Sequence, residues 1–472
     1  MVGLLPSWLF LDPIMGCCTR EGGIVSAGEP GIWMPVTCPL TTPLPLPTKI
    51  VAKNSRYKSV CPVEHSMIMR YLPLFPGYLL WISPRHPRVP LPEKGDQRME
   101  LALTGPSALA VLRALRTGTL QGGFPEKRAD LVSPSPHPFK RWVRRAIDLG
   151  SLSSIVTATP ESPLHVVIPT AKDRIRVPGV HCTLIEHGLP RDSFVPIYDR
   201  LLIPCPELLF LEMGRHMDPL PHLMLGLELC GTFSRDPIDP LGGTAALNIE
   251  PVTSADTIRG YMASSKVRGH GQARSIADSL ADGSWSPGEG LVAAFAALPF
   301  GEVGYGIGPI SLNHRQEPPG ELRDLMAKGS RVPDLLLAGT TVGINYDGEG
   351  HLDLAGMESV IRELDLHPEN ATIAREYERV RRSIREKYVD DRRRDRELGV
   401  AGLTVLVATK EDLYEPGAFD RLMGQCTYAL QRTGVKGLDC QMSAFGSKAI
   451  RRMRRRMLDD VLVGRSRKGV II

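Results

Sequence analysis

Short apolar runs and amphipathic stretches alternate in the second half of the chain. Residues 332–351 contain two apolar runs joined by a Gly-Thr-Thr turn, which is the pattern of a β-hairpin. Residues 286–298 begin with Ser286-Pro287 and continue as an apolar stretch, which predicts a buried helix with Pro287 in its first turn. The β-branched run at 402–408 predicts a buried strand.

A long charged stretch lies between the hairpin and that strand. Residues 374–398 predict a helix, and Gly399 fits its C-cap. Thr409 and Asp412 have the spacing of a capping box that opens a further helix. The order helix, hairpin, helix, strand predicts an α/β domain over about residues 286–430, in which a mixed central sheet is flanked by helices.

A small α+β region is predicted between residues 99 and 285. Residues 107–116 and 140–149 have helical periodicity, and the first of these places Ala108, Val111, Leu112 and Leu115 on one face. Residues 164–169 and 180–185 predict strands, whereas 208–213 and 223–229 predict buried helices.

The first 98 residues differ from the rest because they hold 15 of the 41 prolines and little helical periodicity. This composition predicts a loosely packed extension. A translation start placed too far upstream, with Met99 as the true first residue, and a proline-rich arm that binds a partner both explain it. The length of 472 residues predicts two or three domains.

Positive charge is concentrated at the C-terminal end. The net charge is +5, but residues 375–472 contain 23 Lys and Arg against 14 Asp and Glu. Residues 431–472 form a basic tail, whose run from Lys448 to Arg456 is the densest part; it is either a helix that contacts phosphates or a solvated, partly frayed segment. The nine cysteines have no C-x-x-C spacing, and no secretory signal or membrane span is found, so we expect a cytoplasmic protein with reduced thiols.

Acidic residues and a histidine surround the predicted hairpin. Asp334 falls on its first strand, and Asp347 and His351 fall at the end of its second strand. Carboxylates this close repel one another unless a cation lies between them, and oxygen ligands suit a divalent cation. The alternative is a pair of surface acids that flank a turn.

The residues in this order resemble the restriction-endonuclease-like PD-(D/E)XK superfamily, and within it the branch related to very-short-patch-repair endonucleases. The resemblance covers residues 286–425, about a third of the chain. The matching pieces are the helix start with Glu289, the Pro-Asp of Asp334, the Asp347-Gly348 pair with His351, the Asp391–Arg394–Leu398 spacing and the strand that follows Gly402. Asn345 departs from the pattern, which has an acid at this position.

The resemblance implies a Mg²⁺- or Mn²⁺-dependent DNA endonuclease, in phage defence or mobile-element biology. Asp334 and Asp347 would hold the metal, Glu289 would be an outer acid, and His351 would act as general base or leaving-group acid. An amide at Asn345 is a poorer ligand for a hard cation, so the alternative is a decayed module that binds nucleic acid without cleaving it. DNA is the expected partner and RNA the alternative, contacted by the following arginines: Arg392, Arg393, Arg394, Arg451, Arg452 and Arg455.

The whole arrangement resembles actinobacterial proteins related to the type IV toxin–antitoxin antitoxins of abortive-infection systems. The winged helix that usually begins such proteins is not evident in this sequence, which weakens a prediction of promoter binding. An antitoxin-like regulator remains the alternative to an enzyme, with its toxin partner unknown. The glycine-rich segment 304–308 is followed by Pro309 where a dinucleotide-binding helix would start, so it does not predict a dinucleotide site.

Overall fold

The computed structural model describes residues 101–131, 149–198, 201–268, 270–318, 320–348 and 354–465. These residues belong to one compact unit, and their buried apolar side chains form one continuous core. Three predicted features lie outside the described residues. They are the extension at 1–98, residues 140–148 of the helix predicted at 140–149, and His351. The fold is α/β, with mixed sheets flanked by helices.

The first sheet has five strands in the order β3-β2-β1-β5-β4. Pairs β1–β5 and β2–β3 are parallel, and pairs β1–β2 and β4–β5 are antiparallel. The strands are β1 (Leu101–Leu103), β2 (Leu164–Ile168), β3 (Val180–Leu184), β4 (Phe194–Tyr198) and β5 (Leu201–Pro204). The two strands predicted from sequence in this region, β2 and β3, are therefore confirmed.

Helices α1 (Gly105–Arg116) and α2 (Pro206–Met213) pack against this sheet, and α3 (Pro219–Leu229) packs against α2. Each has proline in its first turn, where the missing N–H costs no helical hydrogen bond. The helices predicted at 107–116, 208–213 and 223–229 are confirmed, and the predicted apolar face of α1 is buried.

A buried helix joins α3 to the second sheet. Short elements precede it: β6 (Phe233–Ser234), β7 (Ala246–Leu247), α4 (Ala255–Ser264) and α5 (Gly271–Ile276). The buried helix is α6 (Pro287–Ala297), whose residues from Gly290 onward are all buried. It packs against α3 and also against two strands of the second sheet. The helix predicted at 286–298 is thus confirmed, with Ser286 as its N-cap.

The second sheet has four strands in the order β11-β10-β9-β8. They are β8 (Ile310–Leu312), β9 (Leu335–Leu337), β10 (Val342–Asp347) and β11 (Thr404–Thr409). The predicted hairpin is the antiparallel pair β9–β10, and β11 adds in parallel with Asn345 opposite Val407. Helices α6, α8 and α10 pack against this sheet, so the predicted mixed sheet flanked by helices is confirmed.

The crossover between β10 and β11 differs from the prediction in two respects. It contains two helices, α7 (Leu354–Leu366) and α8 (Ala371–Val400), and α7 was not predicted. Gly399 lies inside α8 and is not its C-cap. Gly402 instead adopts the left-handed backbone, with φ of +86°, and its N–H donates to the carbonyl of Gly399. A glycine in the last helical turn is tolerated, and the glycine three residues later makes the turn into β11.

The C-terminal part is helical through most of its length. It contains α9 (Lys410–Tyr414), α10 (Ala418–Arg432), α11 (Asp439–Gly446) and α12 (Lys448–Leu462). The capping box of Thr409 and Asp412 is confirmed, since the Thr409 N–H donates to the Asp412 carboxylate at 2.9 Å. Arg454 and Leu458 of α12 are each 2% exposed, so the frayed-tail interpretation is wrong for this helix.

Candidate nuclease-like site

Asp334 lies in the bend immediately before β9, one residue ahead of the strand on which it was predicted. Its Oδ2 accepts the N–H of Tyr346 at 2.6 Å, and its own N–H donates to Oδ1 of Asn345 at 3.1 Å. Its carbonyl accepts the N–H of Asn313 at 3.0 Å. These bonds to β10 and to the residue after β8 fix the carboxyl group at one end of the second sheet.

Glu289 reaches the same end of the sheet from the first turn of α6. Its N–H donates to Oγ of Ser286, and its carboxylate accepts hydrogen bonds from the Trp285 N–H, the Ser286 hydroxyl and Nδ2 of Asn313, all at 3.0–3.3 Å. Ser286 is therefore the N-cap of α6, and Glu289 of the Ser-Pro-x-Glu pattern binds the residues around this cap as well as Asn313. A Cβ at Gly288 would lie 2.1 Å from the Tyr346 ring, so glycine permits this close approach of α6 to β10.

The carboxyl group of Asp334 has a pKa raised to about 7. Burial is the main cause, and the charges of Glu289 and Asp347 add to it. The N–H of Tyr346 and the guanidinium of Arg394 act in the opposite direction. Three of the acids predicted for the site thus lie close enough to influence one another, although they come from three separate parts of the chain.

Asn345 is turned into the interior beside these acids. Its side chain is fully buried, and its Oδ1 is held by the N–H of Asp334. Its Nδ2 is buried and has no hydrogen-bond partner in the described part of the chain. The position that the family pattern assigns to an acid therefore offers the site an N–H donor and no oxygen.

Arg394 supplies the positive charge at this site. It lies on α8 and is 15% exposed, with Nη2 3.6 Å from Oδ1 of Asp347 and 3.9 Å from Oδ1 of Asp391. Its Nε is buried without a hydrogen-bond acceptor among the described residues. The Asp391–Arg394 spacing noted in the sequence therefore brings a guanidinium to Asp347, and Arg394 points inward where the sequence analysis placed it on a nucleic-acid surface.

A magnesium ion does not fit this set of donors. A hard cation needs several oxygen ligands, but the buried side-chain atoms here that make no hydrogen bond within the described residues are two N–H donors, Asn345 Nδ2 and Arg394 Nε, and one neutral amide oxygen, Asn313 Oδ1. Across the residues that the structure describes, no three His, Cys, Asp or Glu side chains are arranged to hold a metal. Unpartnered donors beside a cationic guanidinium suit an anionic oxygen better than a cation.

The other predicted arginines fall into two groups. Arg392 and Arg393 are exposed on α8, where Arg392 pairs with Asp395 at 3.2 Å and lies 5.6 Å from the Tyr388 ring. Arg451, Arg452 and Arg455 lie on α12 and line a single pocket. The structure therefore separates the predicted basic contacts into an exposed helical face and a cavity wall.

A second polar cluster, which sequence reasoning missed, lies where β1 ends. A cavity of about 280 Å³ is lined by Thr104, His181, Thr183, Leu184, Glu212, Arg215 and His216. The His165 ring lies 5.1 Å from His181 and 5.6 Å from His216, and burial, followed by the charges of these two histidines, lowers its pKa to about 4. His165 and His181 occupy equivalent positions in two paired strands, which was the available sequence signal.

Comparison of the chain with protein families, with curated proteins and with solved structures finds no match. Within the described residues, every helix is too short or too polar to cross a membrane.

Proposed function

We propose that this chain is a nuclease-fold protein of the PD-(D/E)XK type that binds nucleic acid without cleaving it. The observation that carries the proposal is the state of Asn345, which is fully buried, gives its side-chain oxygen to the Asp334 backbone N–H and brings an amide donor, not a carboxylate, to this position. A cleaving site of this type would need a carboxylate at that position to help hold a metal.

The binding half of the proposal rests on charge. Residues 375–472 carry the surplus of Lys and Arg, and these residues form α8 and α12 at the surface of the unit. At the candidate site, Arg394 is 15% exposed and would meet a phosphate oxygen, while the raised pKa of Asp334 reduces the negative charge that would repel it. In the cell, such a protein would act as an antitoxin-like regulator in the cytoplasm.

A Mg²⁺- or Mn²⁺-dependent DNA endonuclease is the second candidate. It is favoured by one observation, the action of the Glu289 and Asp347 charges on Asp334, because half-buried acids close together are typical of a cation site. His351 would then complete the set. The two candidates make opposite predictions for cleavage and for metal binding.

The deciding experiment measures both cleavage and binding in the full chain. We expect the wild-type protein to leave plasmid DNA intact with Mg²⁺ or Mn²⁺, to give a flat calorimetric metal titration, and to bind a mixed-sequence duplex with affinity that falls steeply as salt rises. Asn345→Glu should introduce metal binding by supplying the missing negative charge, while Asp334→Ala serves as the control variant.

Metal-dependent cleavage by the wild type that is lost in Asp334→Ala would establish the endonuclease and overturn the binding proposal. Absence of duplex binding at low salt would overturn nucleic-acid binding in any form.

A further inference from the structure

A pocket of about 510 Å³ lies between α10 and α12. Its deeper wall contains the aromatic residues Phe295, Tyr305 and Phe419. The wall formed by α12 is cationic, and it contains Lys448, Arg451, Arg452, Arg454 and Arg455. The pocket is therefore large enough for a small organic phosphate, and one helix supplies almost all of its charge.

The carboxylate in the pocket wall, Asp420, already has its partners. Its Oδ1 accepts the Tyr305 hydroxyl at 2.6 Å and lies 3.6 Å from Nη1 of Arg454, while Oδ2 lies 3.4 Å from Nε of Arg451. Arg454 also stacks 4.0 Å from the centre of the Tyr305 ring and donates to the Val303 and Gly304 carbonyls. Its Nη1 is buried and makes no hydrogen bond within the described residues.

Of the three remaining cations, one is paired with a carboxylate of the described residues and two are not. Arg455 pairs with Asp459 at 2.6 Å and donates to the carbonyl groups that end α9. Lys448 and Arg452 lie in the first two turns of α12, and within the described residues neither pairs with a carboxylate. Arg452 instead donates from Nε to the Lys448 carbonyl at 3.3 Å. Lys448 and Arg452 therefore lie in the first two turns of α12 without a carboxylate partner among the described residues. They line a pocket in which Asp420 already has its partners.

We propose that this pocket binds a phosphate group, with Lys448 and Arg452 as the main contacts and Arg454 as the buried positive charge behind them. The nucleic-acid form of this proposal rests on the proposed function. It adds the place where the protein would bind the phosphate backbone of the nucleic acid. A cationic wall suits phosphate in either of two sources, a nucleic-acid backbone or a free polyphosphate. The helix dipole of α12 adds to the attraction.

The test compares Lys448→Gln/Arg452→Gln with Arg456→Gln, which removes an exposed cation of the same helix that does not line the pocket. The probes are a fluorescein-labelled 20-base-pair duplex, titrated over a salt series, and inorganic pyrophosphate, titrated calorimetrically. All of the changed side chains are exposed, and circular dichroism and the thermal midpoint verify folding.

We expect the double variant to lose roughly ten- to a hundredfold in duplex affinity near 0.1 M salt and to reduce the slope of log affinity against log salt by about 2. It should also lose pyrophosphate binding, and Arg456→Gln should retain both activities. Pyrophosphate binding without duplex binding supports the pocket and overturns the proposed function.

If the double variant retains duplex binding, or if Arg456→Gln weakens duplex binding equally, the proposal of a phosphate-binding pocket is overturned. The proposed function is then unaffected. Wild-type protein that binds neither probe overturns both.

Discussion

Glu212 is a buried carboxyl group that makes the free energy of unfolding depend on pH. It is 3% exposed, and its carboxyl group accepts the Thr104 hydroxyl, while Oε1 has no partner among the described residues. Burial raises its pKa from 4.5 to about 7. The folded protein therefore holds a proton more tightly than the unfolded chain, so the free energy of unfolding falls as pH rises from about 4.5 to about 7.

Glu212→Gln should remove this part of the pH dependence. The amide keeps an oxygen for Thr104 and cannot ionise, so we expect the free energy of unfolding at pH 8 to rise by about 1–3 kcal/mol. Near pH 4.5 the variant should match the wild type more closely. Asp334 still titrates in the same range, so some slope remains.

Chemical denaturation at several pH values measures this effect. The exposed Glu161→Gln provides the control and should leave the profile unchanged. A Glu212→Gln profile parallel to that of the wild type would show that Glu212 does not carry the predicted pH dependence.

At the scale of elements, α8 is held to the fold by a few buried contacts. Only Val380, Glu397 and Leu398 of its 30 residues are buried. Arg331, 4% exposed, donates to Glu397 at 2.5 Å and to Asp390 at 3.0 Å. Glu397 also accepts the Ala327 N–H at 2.8 Å, so this ion pair fastens the helix to the segment that leads into β9.

Arg331→Met should destabilise the protein by about 3–5 kcal/mol, because it leaves the buried carboxylate of Glu397 without its cation. Arg381→Met breaks an exposed pair with Glu378 on the same helix and should cost within about 0.5 kcal/mol. Urea unfolding of both variants compares these free energies directly. Equal effects would show that burial of the Arg331 pair does not matter.

At the scale of the whole molecule, α6 joins α3 to the second sheet. Its residues from Gly290 to Ala297 are buried on all sides, because α3 covers one side and β8 and β10 lie on another. A helix that is apolar all round cannot remain folded with one side in water. A domain boundary is predicted from the sequence at residues 285/286, directly before this helix, whereas the buried core includes residues on both sides of it.

A fragment that begins at Ser286 should therefore fail to fold cooperatively. Without α3, the apolar side of α6 is exposed, and we expect increased binding of a hydrophobic dye together with a broad thermal transition. The full chain under the same conditions is the comparison. A fragment that melts sharply at the midpoint of the full chain would instead establish an independent domain.

Local signals account for what the sequence predicted correctly. The start of α6 at Ser286-Pro287, the capping box of Thr409 and the β9–β10 hairpin depend on residues within a few positions of one another. The Gly399 prediction was wrong because two nearby glycines could each end α8, and only the path into β11 selects Gly402. The helix α7 was missed because the predicted pattern left residues 352–373 without an element.

The sequence by itself determined α6, the β9–β10 hairpin, most of α8 and β11, and the residue types that could occupy the candidate site. Tertiary structure decided which of them meet: it brought Glu289, Asp334 and Asp347 together, turned Arg394 inward and placed the α12 cations around a pocket. The physical reason is that periodicity and capping act over one or two turns of chain, whereas side-chain burial and charge interactions join residues that are far apart in sequence.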